Sequence, residues 1–303
     1  MTGANLAASV RQRLLNIAKR TNRPFQEVLQ YYAMERFLFR LAQSPHNRAF
    51  TLKGGLLLHA WDAPRARVTK DVDLLARMGN SLEAVTGVIR SICEVAVESD
   101  GMTFDSSSLI AQRIKEDADY EGVRLTFVAY LDVARVTMQL DIGFGDTITP
   151  ASTMVTYPTL LTFAAPVLTA YPRETVIAEK FHAMVYLGTA NSRMKDFYDV
   201  WMLARTFAFD GDSLAAAIAS TFANRKTAVE VVPLAFTAVF TEQAATRMQW
   251  AAFAKRTNLQ AAPASLAEAT VAVSSFIAPV AESLLAGTPF AMAWAPGGPW
   301  LNI

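Results

Sequence analysis

Two runs near the N-terminus repeat apolar residues at three- and four-residue spacing. The first is Ala8 to Arg20; the second is Pro24 to Gln43, with Phe25, Val28, Leu29, Tyr32, Phe37 and Leu41 on its stripe. That period belongs to amphipathic helices, and Pro24 stands where a first helical turn tolerates it, so the pattern predicts a helix pair. The pattern then changes. "FTLKGGLLLHAW" reads as a short strand or loop, a turn at Gly54-Gly55 and a helix, and "RVTKDVDLLAR" reads as a strand. A helix is expected within Asn80 to Val97, followed by "GMTFDSSSLIAQRIKE", a polar connection containing a strand. "VRLTFVAYLDVARVTMQLDIGFGD" carries two β-rich runs, Val123–Tyr130 and Arg135–Ile142. Beyond an extended, Pro-punctuated stretch after Pro150, "RETVIAEKFHAMVYLG" predicts a helix and "NSRMKDFYDVWMLARTF" a loop passing into another. From about Asp212 the chain reads as Ala-rich helices broken at Pro233, Pro263 and Pro279, closing in the loop "PGGPW". The expected fold is α+β. An N-terminal helix pair (1–45) precedes a mixed-sheet α/β core (46–150) and a mostly helical C-terminal lobe (151–303), which is expected to contribute Lys180 and Asp196 to a cleft.

Composition narrows the classes. With 52% hydrophobic and 18% charged residues, the 303-residue chain is neither disordered nor collagen-like. A formal charge of +1 excludes a strongly basic nucleic-acid sponge but leaves room for local patches, such as Arg11, Arg13, Lys19, Arg20 and Arg23 on the helix pair. Those residues fit a solvated face or contact with phosphate. Cys93 stands alone, so no intramolecular disulfide or Cys-based metal site is possible, and a reducing cytoplasmic setting is expected. The N-terminus lacks the apolar core of a signal peptide. The most apolar tract, from Ala269 to Trp294, contains Glu282 and two prolines, and is expected to be a buried helix, with no membrane partner.

The candidate chemistry starts with Asp71 and Asp73. In an extended chain residues two apart share a face, and two like charges there call for a positive partner. Asp141 ends a later β-rich run, which a sheet can lay beside the first. Three carboxylates at one sheet edge are hard oxygen ligands suited to Mg²⁺; simple pairing with Arg65, Arg67 or Lys70 is the alternative. Lys53-Gly54-Gly55 places bare backbone N–H groups at a helix start, a geometry that cradles phosphate or simply makes a turn. On the helix through "VIAEKFHAMV", Lys180 projects beside the core stripe of Ile177, Phe181 and Met184 and needs an anion. Asp196, at the next helix start, is placed to hold Lys180 or Arg193. His46, His59 and His182 form no zinc-binding spacing, and His182 is expected to be a packed helix residue. No G-x-S-x-G supports a serine hydrolase.

Gly54-Gly55, "RVTKDVDLL" and "LDIGFGD" together resemble the minimal nucleotidyltransferase superfamily. With "AEKFHAM" and "RMKDFYDVW" in the same order, the chain resembles the AbiEii/AbiGii toxin family from about Phe37 to Arg205. The resemblance implies that Asp71, Asp73 and Asp141 ligate Mg²⁺ or Mn²⁺, that Lys180 binds the triphosphate, and that Asp196 is a further essential acid. Thr69 fills the family's Ser/Thr position two residues before the first Asp. Lys53, Gly54, Gly55, Thr69, Lys180, Arg193 and Lys195 are the expected nucleotide-binding residues; Glu179 and Asp199 belong to the same motifs. The implied reaction transfers a nucleoside monophosphate from an NTP to a hydroxyl, with the 3′ end of tRNA as acceptor and translation as the casualty. A toxin–antitoxin or phage-defence setting implies a cognate antitoxin. Transfer to a protein or small-molecule hydroxyl, and a non-catalytic interaction protein, are the competing readings.

Overall fold

The computed structural model describes residues 3–63, 66–117, 120–257 and 262–302. The chain divides into two compact units. Unit 1 comprises Met1–Asp62, Val68–Gly145 and Thr153–Ala170, and unit 2 comprises Ala63–Arg67, Asp146–Ser152 and Tyr171–Ile303.

In unit 1 the predicted helix pair is α1 (Gly3–Thr21) and α2 (Phe25–Gln43). The following elements are β1 (Phe50–Lys53), α3 (Leu56–Ala60), β2 (Val72–Ala76), α4 (Leu82–Cys93), β3 (Met102–Asp117), β4 (Tyr120–Leu131), β5 (Ala134–Phe144), β6 (Thr153–Thr156) and β7 (Val167–Ala170). They build one mixed sheet in the order β3-β4-β5-β2-β1-β7-β6, with β2/β5 and β1/β7 parallel and the other neighbours antiparallel. All four residues of β1 are buried because it lies between β2 and β7, which explains why "FTLK" shows no alternation. The rings of Phe37 on α2, Phe104 on β3 and Phe127 on β4 pack together. A buried ion pair crosses this core: Arg40 on α2 donates to both oxygens of buried Asp100, at 2.8 and 3.1 Å.

The sheet is larger than the strands legible in the sequence. The stretch expected to be a polar connection containing a strand is strand throughout, β3, and the extended, Pro-punctuated segment contributes β6 and β7. Conversely, the strand expected across "RVTKDVDLLAR" begins only at Val72, so Asp71 lies just ahead of it.

Unit 2 packs α5 (Arg173–Leu187), α6 (Met194–Thr206), α7 (Gly211–Asn224), α8 (Ala238–Thr241), α9 (Ala244–Thr257) and α10 (Leu266–Ala286). By length and apolar composition α10 is able to cross a membrane; here it lies against α6 and α7 and buries Ala269, Val273, Phe276, Ile277, Val280 and Ala281. The expected loop "PGGPW" is present, but it joins two short strands that the sequence did not show. β8 (Phe209–Asp210), β9 (Met292–Trp294) and β10 (Trp300–Asn302) form a three-stranded sheet. Trp294 and Trp300 pack on Phe276, and their indole N–H groups donate to the carbonyls of Ala204 and Phe276. Strands of two and three residues carry too little pattern to be read locally; aromatic burial holds them.

Candidate active site

The site in unit 1 is a row written across four strands. Lys53 on β1 is in register with Asp73 on β2, Asp73 with Asp141 on β5, and Asp141 with Arg124 on β4. Register neighbours on adjacent strands share a face, where like charges repel and unlike charges attract. Two acids therefore lie side by side with a cation at either end. Arg124 grips Asp141 through two parallel bonds, Nε to Oδ1 and Nη2 to Oδ2, each 2.7 Å, and the Gln139 amide approaches the same carboxylate. Asp71 completes the group: one carboxylate oxygen from each of Asp71, Asp73 and Asp141 lies within 4.8 Å of the others. Three converging hard oxygens with Asp141 buried and the other two half-buried suit a small divalent cation.

Gly54 makes room for this arrangement. Its φ is +74°, and a Cβ there would run into the Asp73 carboxylate. The glycine beside β1 and the acid on β2 are thus one device. The helix that follows, α3, is only five residues long and starts at Leu56.

Asp71, outside the strand, is held from α2. The Tyr31 hydroxyl accepts the Thr69 N–H at 3.0 Å and meets His59 Nε2 at 2.9 Å, and the Thr69 hydroxyl donates to Asp71 Oδ1 at 2.5 Å. Next to it, the Gln30 amide donates to the carbonyls of Lys70 and Thr137. A helix from the N-terminal pair therefore braces the segment that presents the first acid to β5.

Unit 2 carries a second charged cluster. Lys180 on α5 donates to Asp196 Oδ1 at 2.7 Å and lies 2.8 Å from Asp199 Oδ2. Arg193 reaches the other oxygen of Asp196 at 2.6 Å, and Arg67 binds both oxygens of Asp199 at 2.9 Å. Both acids are fully buried on the first two turns of α6. Burial would push the Lys180 ammonium down, but Asp196 and Asp199 outweigh it and hold it above its ordinary value. Burial would raise both carboxyls, yet Lys180, Arg193 and Lys195 hold Asp196 well below the carboxylate range, and Arg67 and Lys180 do the same for Asp199. Lys180, Arg193 and Arg67 thus face the two acids from different sides.

The other sequence candidates sort by exposure. Lys195 is exposed, and Lys53, Gly55 and Thr69 are buried. Arg67, which by sequence was a possible partner of Asp71 or Asp73, is buried and binds Asp199; Arg65 lies outside the described residues. His182 is buried, bonded to the Thr227 hydroxyl at 2.9 Å and stacked on Tyr186, with its pKa lowered to about 4 by burial and by Arg225 and Arg193. Of the basic helix pair, Arg11 and Arg13 lie over Phe25 and Phe163, and Arg23 pairs with Glu27. Sequence reasoning missed Arg124, Gln30 and Tyr31. The one available signal was Arg124 as the lone charge in "VRLTFVAY"; nothing local marks the other two.

Residues 36–272 match a family model described as nucleotidyl transferase AbiEii toxin, type IV TA system. Among solved structures, the chain is similar to JHP933 from Helicobacter pylori, at 15% identity and a TM-score of 0.48 over 86% of this chain and 96% of that one. It is also similar to a candidate nucleotidyltransferase from H. pylori, at 17% identity and a TM-score of 0.48 over 86% and 97%. At that level neither likeness enters the assignment, and no curated protein matches. With well over half its length matched, the chain belongs to the AbiEii family of nucleotidyltransferase toxins of type IV toxin–antitoxin systems.

Proposed function

We propose that this nucleotidyltransferase uses Asp71, Asp73 and Asp141 to hold Mg²⁺ or Mn²⁺ and transfers a nucleoside monophosphate from an NTP to the 3′-terminal hydroxyl of tRNA, blocking translation. The register that sets Asp73 beside Asp141, with an Asp71 oxygen within 4.8 Å, is the observation that carries this reading. Divalent metal bound by these carboxylates lowers the pKa of an attacking hydroxyl and offsets charge on the leaving pyrophosphate. The chain's own residues do the rest. Lys53 and Arg124 offset the repulsion between the acids, and Gly54 leaves space for the Asp73 carboxylate. Thr69 orients Asp71. The Gly54-Gly55 amides and Lys180 are assigned to the β- and γ-phosphates, with Arg193 and Lys195 as further phosphate ligands, and Asp196 fixes Lys180 and Arg193. In the reaction the acceptor oxygen bonds to the α-phosphorus, its proton is released, and the bond to the bridging oxygen breaks with its electron pair leaving on pyrophosphate. The family implies an NTP donor and an antitoxin partner; cytoplasmic action and a role in phage defence belong to the same proposal.

The test incubates the protein and Asp73→Asn with Mg²⁺, total tRNA and each α-labelled NTP in turn. Label on tRNA from one NTP, lost in the variant, is expected. Nucleotide turnover with label only on protein or small molecules would overturn the tRNA acceptor, and full labelling by Asp73→Asn would overturn the carboxylate assignment.

A further inference from the structure

We infer that Gln30 on α2 is a positioning residue of the transfer site, a side-chain rung that fixes how far Asp71 stands from Asp141; this rests on the reading of the three carboxylates as metal ligands. The ladder between β2 and β5 begins with Val72 paired to Leu140, although β5 itself starts at Ala134. Carried back two places, the same register would set Lys70 opposite Met138, beside Thr137. The ladder stops short of that point, and Gln30 takes its place. One amide nitrogen donates to the Lys70 carbonyl at 3.2 Å and to the Thr137 carbonyl at 3.3 Å. Such a nitrogen carries two hydrogens, so it serves both carbonyls at once. Lys70 immediately precedes Asp71, and Thr137 lies on the strand that carries Asp141. A single side chain thus ties the acid ahead of β2 to the acid on β5.

The neighbours of Gln30 divide the work. The Tyr31 hydroxyl accepts the Thr69 N–H at 3.0 Å, so consecutive residues of α2 grip consecutive residues of the segment, one at a donor and the other at an acceptor. Tyr31 fixes the segment to the helix, and Gln30 adds the bond across to β5. Gln26, one turn earlier on the same helix face, donates to the Arg135 carbonyl at 3.4 Å, a bond to β5 and not to the Asp71 segment. Gln30 is half-buried, and hydrogen bonds that water can replace add little to net stability, so their consequence is placement. Placement matters here because Mg²⁺ demands near-ideal ligand geometry. A neutral amide also supplies donors without adding charge, whereas an ammonium in the same place would pair with the acids and oppose a metal cation.

The experiment compares Gln30→Met, which keeps an unbranched stem and loses both donors, with Gln26→Met and Asp73→Asn in the full chain. Mn²⁺ binding is titrated by electron paramagnetic resonance without NTP, and thermal unfolding is followed without metal. Then kcat and KM for NTP are measured with the acceptor that the labelling assay identifies. Gln30→Met is expected to weaken Mn²⁺ binding about fivefold and to lower kcat about tenfold, as a misplaced ligand does, with KM for NTP and the melting temperature unmoved. Gln26→Met should match the wild type throughout, and Asp73→Asn should lose the ion. Gln30→Met binding Mn²⁺ as the wild type does, while Asp73→Asn does not, overturns the inference and leaves the carboxylate reading intact. Equal losses in Gln30→Met and Gln26→Met, with lower melting, make α2 a general support and also overturn it. A wild type that binds no Mn²⁺, or Asp73→Asn that binds it equally well, overturns both.

Discussion

Replacing Lys180 with methionine keeps most of the unbranched stem and removes its charge. The ammonium lies between two fully buried carboxylates, 2.7 Å from Asp196 and 2.8 Å from Asp199. Removing one partner from a buried pair typically costs about 3–5 kcal/mol, because the surviving charge is left in a poor solvent. Each acid here keeps another cation, Asp196 with Arg193 and Asp199 with Arg67, so the lower end applies and about 3 kcal/mol is expected. At roughly 2–4 °C per kcal/mol for a domain of ~150–250 residues, that is a melting temperature lower by about 6–12 °C. The pH dependence has a definite sign. Asp196 and Asp199 titrate below their ordinary range, so their contribution is complete above the unfolded carboxylate pKa of about 3.9 and is lost as pH falls through the depressed folded values. In Lys180→Met the depression is smaller, and acid unfolding should begin at a higher pH. Urea and thermal unfolding at pH 7 and in an acid series measure both effects, with Lys180→Met/Asp196→Asn expected to recover part of the loss. A destabilisation below about 1 kcal/mol, with an unmoved acid limb, would show that these ion pairs do not hold the start of α6 in place.

Gly54→Ala should abolish or severely reduce transfer while the protein still folds, since a left-handed backbone costs a non-glycine residue only about 1–2 kcal/mol whereas the new methyl displaces the Asp73 carboxylate; wild-type turnover in a folded variant would refute the close approach. Tyr31→Phe removes only the hydroxyl that accepts the Thr69 N–H, and is expected to lower kcat about tenfold and raise the Mg²⁺ concentration needed, with little change in KM for NTP. Equal loss in both parameters, accompanied by lower melting, would mean α2 merely supports the fold. Glu35, whose carboxyl burial raises to about 7, retains its proton where the unfolded chain has lost it. Stability should therefore fall by up to about 3 kcal/mol as pH rises from ~4.5 through 7, and Glu35→Gln should remove that decline; an identical decline in the variant would exclude Glu35 as its source.

Local pattern was enough for much of the molecule. The helical period of α2, α5 and α6 is visible because apolar spacing of three and four residues is a property of a short segment, and the Gly54-Gly55 turn and the pair Asp71 and Asp73 stand out for the same reason. Lys180 needing an anion, and Asp196 at a helix start, were likewise readable from their own helices. The tertiary structure decided everything that depends on register and distant pairing. It set Asp73 beside Asp141, brought Arg124 onto that acid, braced Thr69 with Tyr31, and joined Arg67 to Asp199 across 132 residues. No segment encodes these alone, because a strand's side-chain pattern says which face it buries but not which neighbour it joins, and a one-residue slip would turn each acid to the opposite face.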